Sequence, residues 1–92
     1  MQIDPQLKSY AEGLFVLYVE DDPLSAALLK RQLEQVFSIV LGASDGLEAL
    51  HAFRERKPDL IVSDLVMPNL DGIGLLREVR KSDQKIPVII MT

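Results

Sequence analysis

Apolar residues in this chain follow two rhythms. The first is the unbroken run. Leu14-Phe15-Val16-Leu17-Tyr18-Val19 has no charged member, and Leu60–Ser63 and Val88–Met91 are shorter stretches of the same kind. A strand that is apolar on both sides is expected where helices cover both faces of a sheet. Ser38–Gly42 adds a further short strand, and Pro87 opens the last one. The second rhythm is three-to-four spacing. Ala26, Leu29, Leu33 and Val36/Phe37 predict a helix from Asp22-Pro23 to about Phe37. Asp45, with Glu48 three residues later, reads as a capping box. Its helix turns Leu47, Leu50 and Phe53 inward and ends before Pro58. Asp71-Gly72 starts another helix, with Ile73, Leu76 and Val79 on one face. Ahead of the first strand, Asp4-Pro5 pairs a cap with proline at the first helical position, and Gly13 suits a helix end. A loose arm over residues 1–13 fits the same segment.

The order from Leu14 onward is β-α-β-α-β-α-β. Such alternation predicts an α/β domain, a doubly wound parallel sheet with right-handed crossovers and helices on both faces. No repeat, linker or low-complexity stretch divides it. The expected organisation is an arm over 1–13 and one domain over 14–92.

In an open parallel sheet, ligands bind beyond the carboxyl ends of the strands. Glu20-Asp21, Asp64 and Thr92 all fall at such ends. Acidic residues after strands are often only helix caps, and Asp22 and Asp71 fit that role. Glu20, Asp21 and Asp64 are different because they meet if their strands are neighbours. Crowded carboxylates repel, and at least one pKa rises unless a cation joins them. Oxygen donors without Cys or His select Mg²⁺ or Mn²⁺ over zinc. A carboxylate beside such an ion can attack phosphorus and form an aspartyl phosphate.

Composition narrows the choice. Ninety-two residues make one small domain, and 48% apolar content is globular rather than disordered. The net charge of −4 disfavours contact with nucleic acid. Basic residues cluster at 54–57 and 77–81, near helix C-termini, where cations suit the macrodipole. The apolar runs are too short to span a bilayer, and the start lacks the pattern of a signal peptide. With no cysteine there is neither a disulfide nor a thiolate metal site, which fits a cytoplasmic location. Tyr18, Met67 and Met91 read as packing residues, and His51 as a surface residue.

Four stretches then carry a resemblance. Tyr18-Val19-Glu20-Asp21-Asp22-Pro23, Pro58 to Asp64, Met67-Pro68-Asn69-Leu70-Asp71-Gly72 and Ile86 to Thr92 are similar, in order and spacing, to the receiver domain of two-component response regulators. The resemblance implies a flavodoxin-like fold with strand order 2-1-3-4-5 in the complete domain. It implies that Asp64 takes a phosphoryl group from a sensor histidine kinase or phosphotransfer protein. It implies that Glu20, Asp21, Asp64 and the backbone carbonyl of Val66 hold Mg²⁺, and that Thr92 is the switch hydroxyl. A receiver-derived interaction or assembly module that no longer signals by phosphate is the alternative. An aspartyl hydrolase is disfavoured, because Val66 stands where such enzymes carry a second aspartate.

The family pattern continues through a further helix, strand and helix, with a lysine that neutralises the phosphoryl charge. Lys81 and Lys85 lie at the opposite end of the sheet and do not supply it. The sheet is therefore expected to be truncated after the fourth strand. That strand is an apolar edge, which predicts a homo-oligomer through Val88–Met91. Val66 offers no polar group to position water, so slow self-dephosphorylation is expected.

Overall fold

The computed structural model describes residues 4–91, apart from the Leu7 side chain. Its elements are α1 (Pro5–Ala11), β1 (Phe15–Val19), α2 (Pro23–Glu34), β2 (Ile39–Ala43), α3 (Gly46–Glu55), β3 (Leu60–Asp64), α4 (Gly72–Ser82) and β4 (Val88–Met91). Every strand pair is parallel, in the order β2-β1-β3-β4. This is the flavodoxin-like arrangement.

All five residues of β1 are buried, as its unbroken apolar pattern requires. One face of the sheet packs against α3 and α4 through Leu17, Val19, Ile61, Ala49, Leu50, Phe53, Leu75 and Val79. The other packs Val16, Tyr18 and Val62 against Leu33, with Ala26 and Leu29 beside them. Tyr18 lies over Gly42, where any Cβ would sit 2.3 Å from the ring. That contact explains a glycine inside a strand. Met67 is buried, Met91 packs half-buried, and His51 pairs with Glu55 on the surface.

The caps follow the sequence closely. Asp4, Asp22, Asp45 and Asp71 each accept from a backbone N–H in the first helical turn. The segment before β1 is thus a short capped helix. The capping box at Asp45 is only half made. Glu48 turns instead to Ser44, whose hydroxyl donates to its carboxylate at 2.6 Å.

Three expectations need correction. Leu47 is 54% exposed, and Ala49 takes the inward place beside Leu50 and Phe53. Ile73 is also exposed, Leu76 is half-buried, and Leu75 with Val79 fills the core. In both helices the buried stripe starts at the first-turn glycine, Gly46 or Gly72, which rotates the inward face by one position. Finally, α2 ends at Glu34, and Val36 and Phe37 close onto the Leu33 carbonyl in a tighter turn.

Candidate functional site

Strand register decides which side chains meet. Val19 lies opposite both Ala43 and Ser63. The next residues, Glu20 and Asp64, therefore leave neighbouring strands at the same level, about one strand spacing of ~4.8 Å apart. The Glu20 N–H extends the β1–β2 ladder by donating to the Ala43 carbonyl at 3.1 Å. One carboxylate oxygen each from Glu20, Asp21 and Asp64 lies within 4.8 Å of the others. Asp22 is drawn out of this cluster. Its carboxylate caps α2, and the Ser25 backbone N–H holds its pKa below the ordinary value.

Glu20 and Asp64 are half-buried and Asp21 is exposed. Burial is the main force raising the Glu20 pKa, followed by the hydrogen bond and charge of Asp64 and the charges of Asp21 and Asp22. Glu20 Oε2 is buried and has no hydrogen-bond partner. A buried acceptor without a donor is costly. A hard cation would satisfy it and offset the repulsion, and exposed Asp21 leaves room for the waters Mg²⁺ keeps. The donor set fits Mg²⁺ or Mn²⁺.

Asp64 Oδ1 accepts from the Leu65 N–H at 2.8 Å, and the same N–H lies 3.1 Å from the Met91 carbonyl. The chain then loops back, with the Gly72 N–H donating to the Leu65 carbonyl at 2.9 Å. Gly72 is required there, since a Cβ would come within 2.5 Å of the Asp64 carbonyl. Val66 follows in the loop and is 75% exposed. Thr92, the expected switch hydroxyl, lies outside the described residues, although Met91 before it pairs with Asp64. Lys85 and Lys81 belong to the α4–β4 end of the molecule, where the Lys85 N–H meets Asp83 and Lys81 pairs with Glu78. Sequence reasoning did not single out Lys30, which lines the hollow beside Glu20 and Tyr18. Its α2 position gives no periodic signal.

Comparison with known proteins bears on this geometry. The family model described as the response regulator receiver domain matches residues 16–92. The chain belongs to that family. As a receiver domain, it is a signalling domain of the two-component kind. It is 40% identical over 77 residues to the probable transcriptional regulator ycf27 of Guillardia theta, covering 84% of this chain and 30% of that protein. It is 39% identical to the sensor protein EvgS of Escherichia coli K12, over 84% of this chain and 6% of that one. The receiver domain thus spans less than a third of these relatives. The Francisella response regulator 1452 receiver domain superposes with a TM-score of 0.78 at 39% identity, covering 85% of this chain and 64% of that one. The receiver domain of the Pseudomonas aeruginosa sensor histidine kinase PA1611 gives 0.81 at 29% identity, over 87% and 67%. That structure carries a magnesium ion in its active-site cleft.

Proposed function

We propose that Asp64 accepts a phosphoryl group from a sensor histidine kinase or phosphotransfer protein, and that the domain switches conformation in response. The reading rests on one observation, the three carboxylates of Glu20, Asp21 and Asp64 converging within 4.8 Å. An Asp64 oxygen attacks phosphorus, the P–N bond of a phosphohistidine breaks, and the departing imidazole nitrogen keeps the electron pair. The Leu65 N–H holds Asp64 Oδ1 and orients the carboxylate for that attack. Glu20, Asp21, Asp64 and the Val66 carbonyl would hold Mg²⁺ or Mn²⁺. When bound, the ion supplies charge neutralisation for the crowded carboxylates and the incoming phosphoryl oxygens.

The phosphoryl group adds about −1.5 to −2 charge and three acceptor oxygens. The Thr92 hydroxyl is the proposed donor to one of them. Val66 offers no polar side-chain atom to an attacking water, so the acyl phosphate is expected to be long-lived. We place the domain in the cytoplasm, and no helix among the described residues is long and apolar enough to cross a membrane.

Acetyl phosphate and Mg²⁺ provide the test, read as adduct mass by peptide mapping. A phosphoryl adduct on Asp64, absent from Asp64→Asn, is expected. An unmodified wild-type chain, together with failure of beryllofluoride to bind, would favour an assembly module that no longer uses phosphate.

A further inference from the structure

Among the described residues, Asn69 is the only non-glycine residue with positive φ, at 69°. Its neighbours close a three-residue turn around it, the Leu70 N–H donating to the Pro68 carbonyl at 2.8 Å. A γ-turn with positive φ at its centre is the rarer and more strained hand. Strain of this kind persists only where the surroundings over-determine it, and it concentrates at functional sites.

The surroundings of Asn69 are specific. Its Nδ2 donates to Asp45 Oδ2 at 2.7 Å, across 24 residues of sequence. Asp45 Oδ1 accepts from the Glu48 N–H at 2.8 Å, so one carboxylate both caps α3 and grips the loop. Those bonds, Glu48 first and Asn69 second, hold the Asp45 carboxyl below its ordinary pKa. Next to the grip, Gly46 allows backbone contact, since a Cβ there would lie 2.0 Å from the Leu70 carbonyl oxygen. At its other end the loop is closed by the Leu65–Gly72 bond and anchored by buried Met67. Val66 stands between these anchors, and its exposed side chain does not fix its orientation.

We infer that Asn69 and Asp45 are a positioning pair, holding loop 65–70 against the N-terminus of α3 so that the backbone after Asp64 is set for the cation. This rests on the functional reading above. Neither residue touches the acidic cluster. Each acts through the loop, and the Asn69 amide must donate while the Asp45 carboxylate accepts.

Mg²⁺ titration by calorimetry, and amide exchange of Leu65, Val66 and Met67 in the metal-free chain, test the pair. Asn69→Gly keeps the backbone conformation and removes the grip, whereas Asn69→Asp opposes two carboxylates. Each is expected to weaken Mg²⁺ binding about three- to tenfold, the range of one hydrogen bond, and to speed exchange at all three amides. The swap Asn69→Asp with Asp45→Asn restores one bond with its donor reversed and keeps a helix cap. It is expected within about twofold of wild type. Wild-type affinity and exchange in Asn69→Gly would overturn the inference, as would a swap no better than Asn69→Asp alone. A wild-type chain that binds no Mg²⁺ would overturn the functional reading and the inference with it. Normal wild-type binding with unaffected variants would overturn the inference alone.

Discussion

Glu20 shows how one residue divides local from global information. Its place after an apolar strand is plain in the chain, but its energetic state is not. The fold half-buries it, leaves Oε2 without a donor and sets Asp64 beside it. Glu20→Gln removes one repelling charge from this group. Without divalent cations, the variant is expected to be at least as stable as wild type. Mg²⁺ at ten times its dissociation constant should stabilise wild type by ~1.4 kcal/mol and the variant by much less. Thermal melts with and without Mg²⁺ check this, and equal shifts in both proteins would refute it. Asp22, only two residues away, is taken by its cap and does not join the cluster. Side-chain competition of that sort is legible from the Asp-Pro pair.

Among the elements, β3 and α4 meet where Gly72 touches the Asp64 backbone. Gly72→Ala should cost about 1–3 kcal/mol, the usual range for overpacking, because the obstruction is backbone. Gly13→Ala is the control, with open space around its Cβ position. Urea denaturation of both variants decides the point, and comparable losses would count against the contact. At the other end of α4, Asp83 joins α3 to α4 through Lys57. The Lys57 hydrogen bond leads the forces that lower its pKa from 3.8 to about 2, with the Lys85 and Ile86 backbone N–H groups contributing. A depressed carboxylate stabilises the fold above its unfolded pKa and loses that effect as pH falls through its folded one. Asp83→Asn should therefore be less stable than wild type at neutral pH. The gap should begin to close near 3.8 and vanish below about 2. Denaturation at several pH values tests this, and a gap independent of pH would exclude the ion pair as its source.

For the whole molecule, the described residues leave the sheet with an edge at β2, where Ile39 and Leu41 are exposed, and another at β4. Among the described residues, β4 pairs only with β3, and Ile89 on it is 51% exposed. An open apolar edge invites pairing with another strand. We propose that the 92-residue chain associates through Val88–Met91. Light scattering at increasing concentration should detect association, and Ile89→Lys should weaken it. A wild-type chain that stays monomeric throughout would retire the proposal.

The alternation of strands and helices, the four aspartate caps and the acidic strand ends were legible in the chain. Each is governed by local backbone chemistry or by the period of an element. Periodicity located the helices but not the rotation of their inner faces. Gly72 and Leu75 took the inward places expected of Ile73 and Leu76, and Ala49 went inward while Leu47 did not, because close contacts at Gly72 and Gly46 set the phase. Parallel register alone brought Glu20 and Asp64 level, and only folding placed Asn69 against Asp45. A residue's own chemistry travels with the sequence. Its partners across the fold are chosen by packing between segments that no local pattern relates.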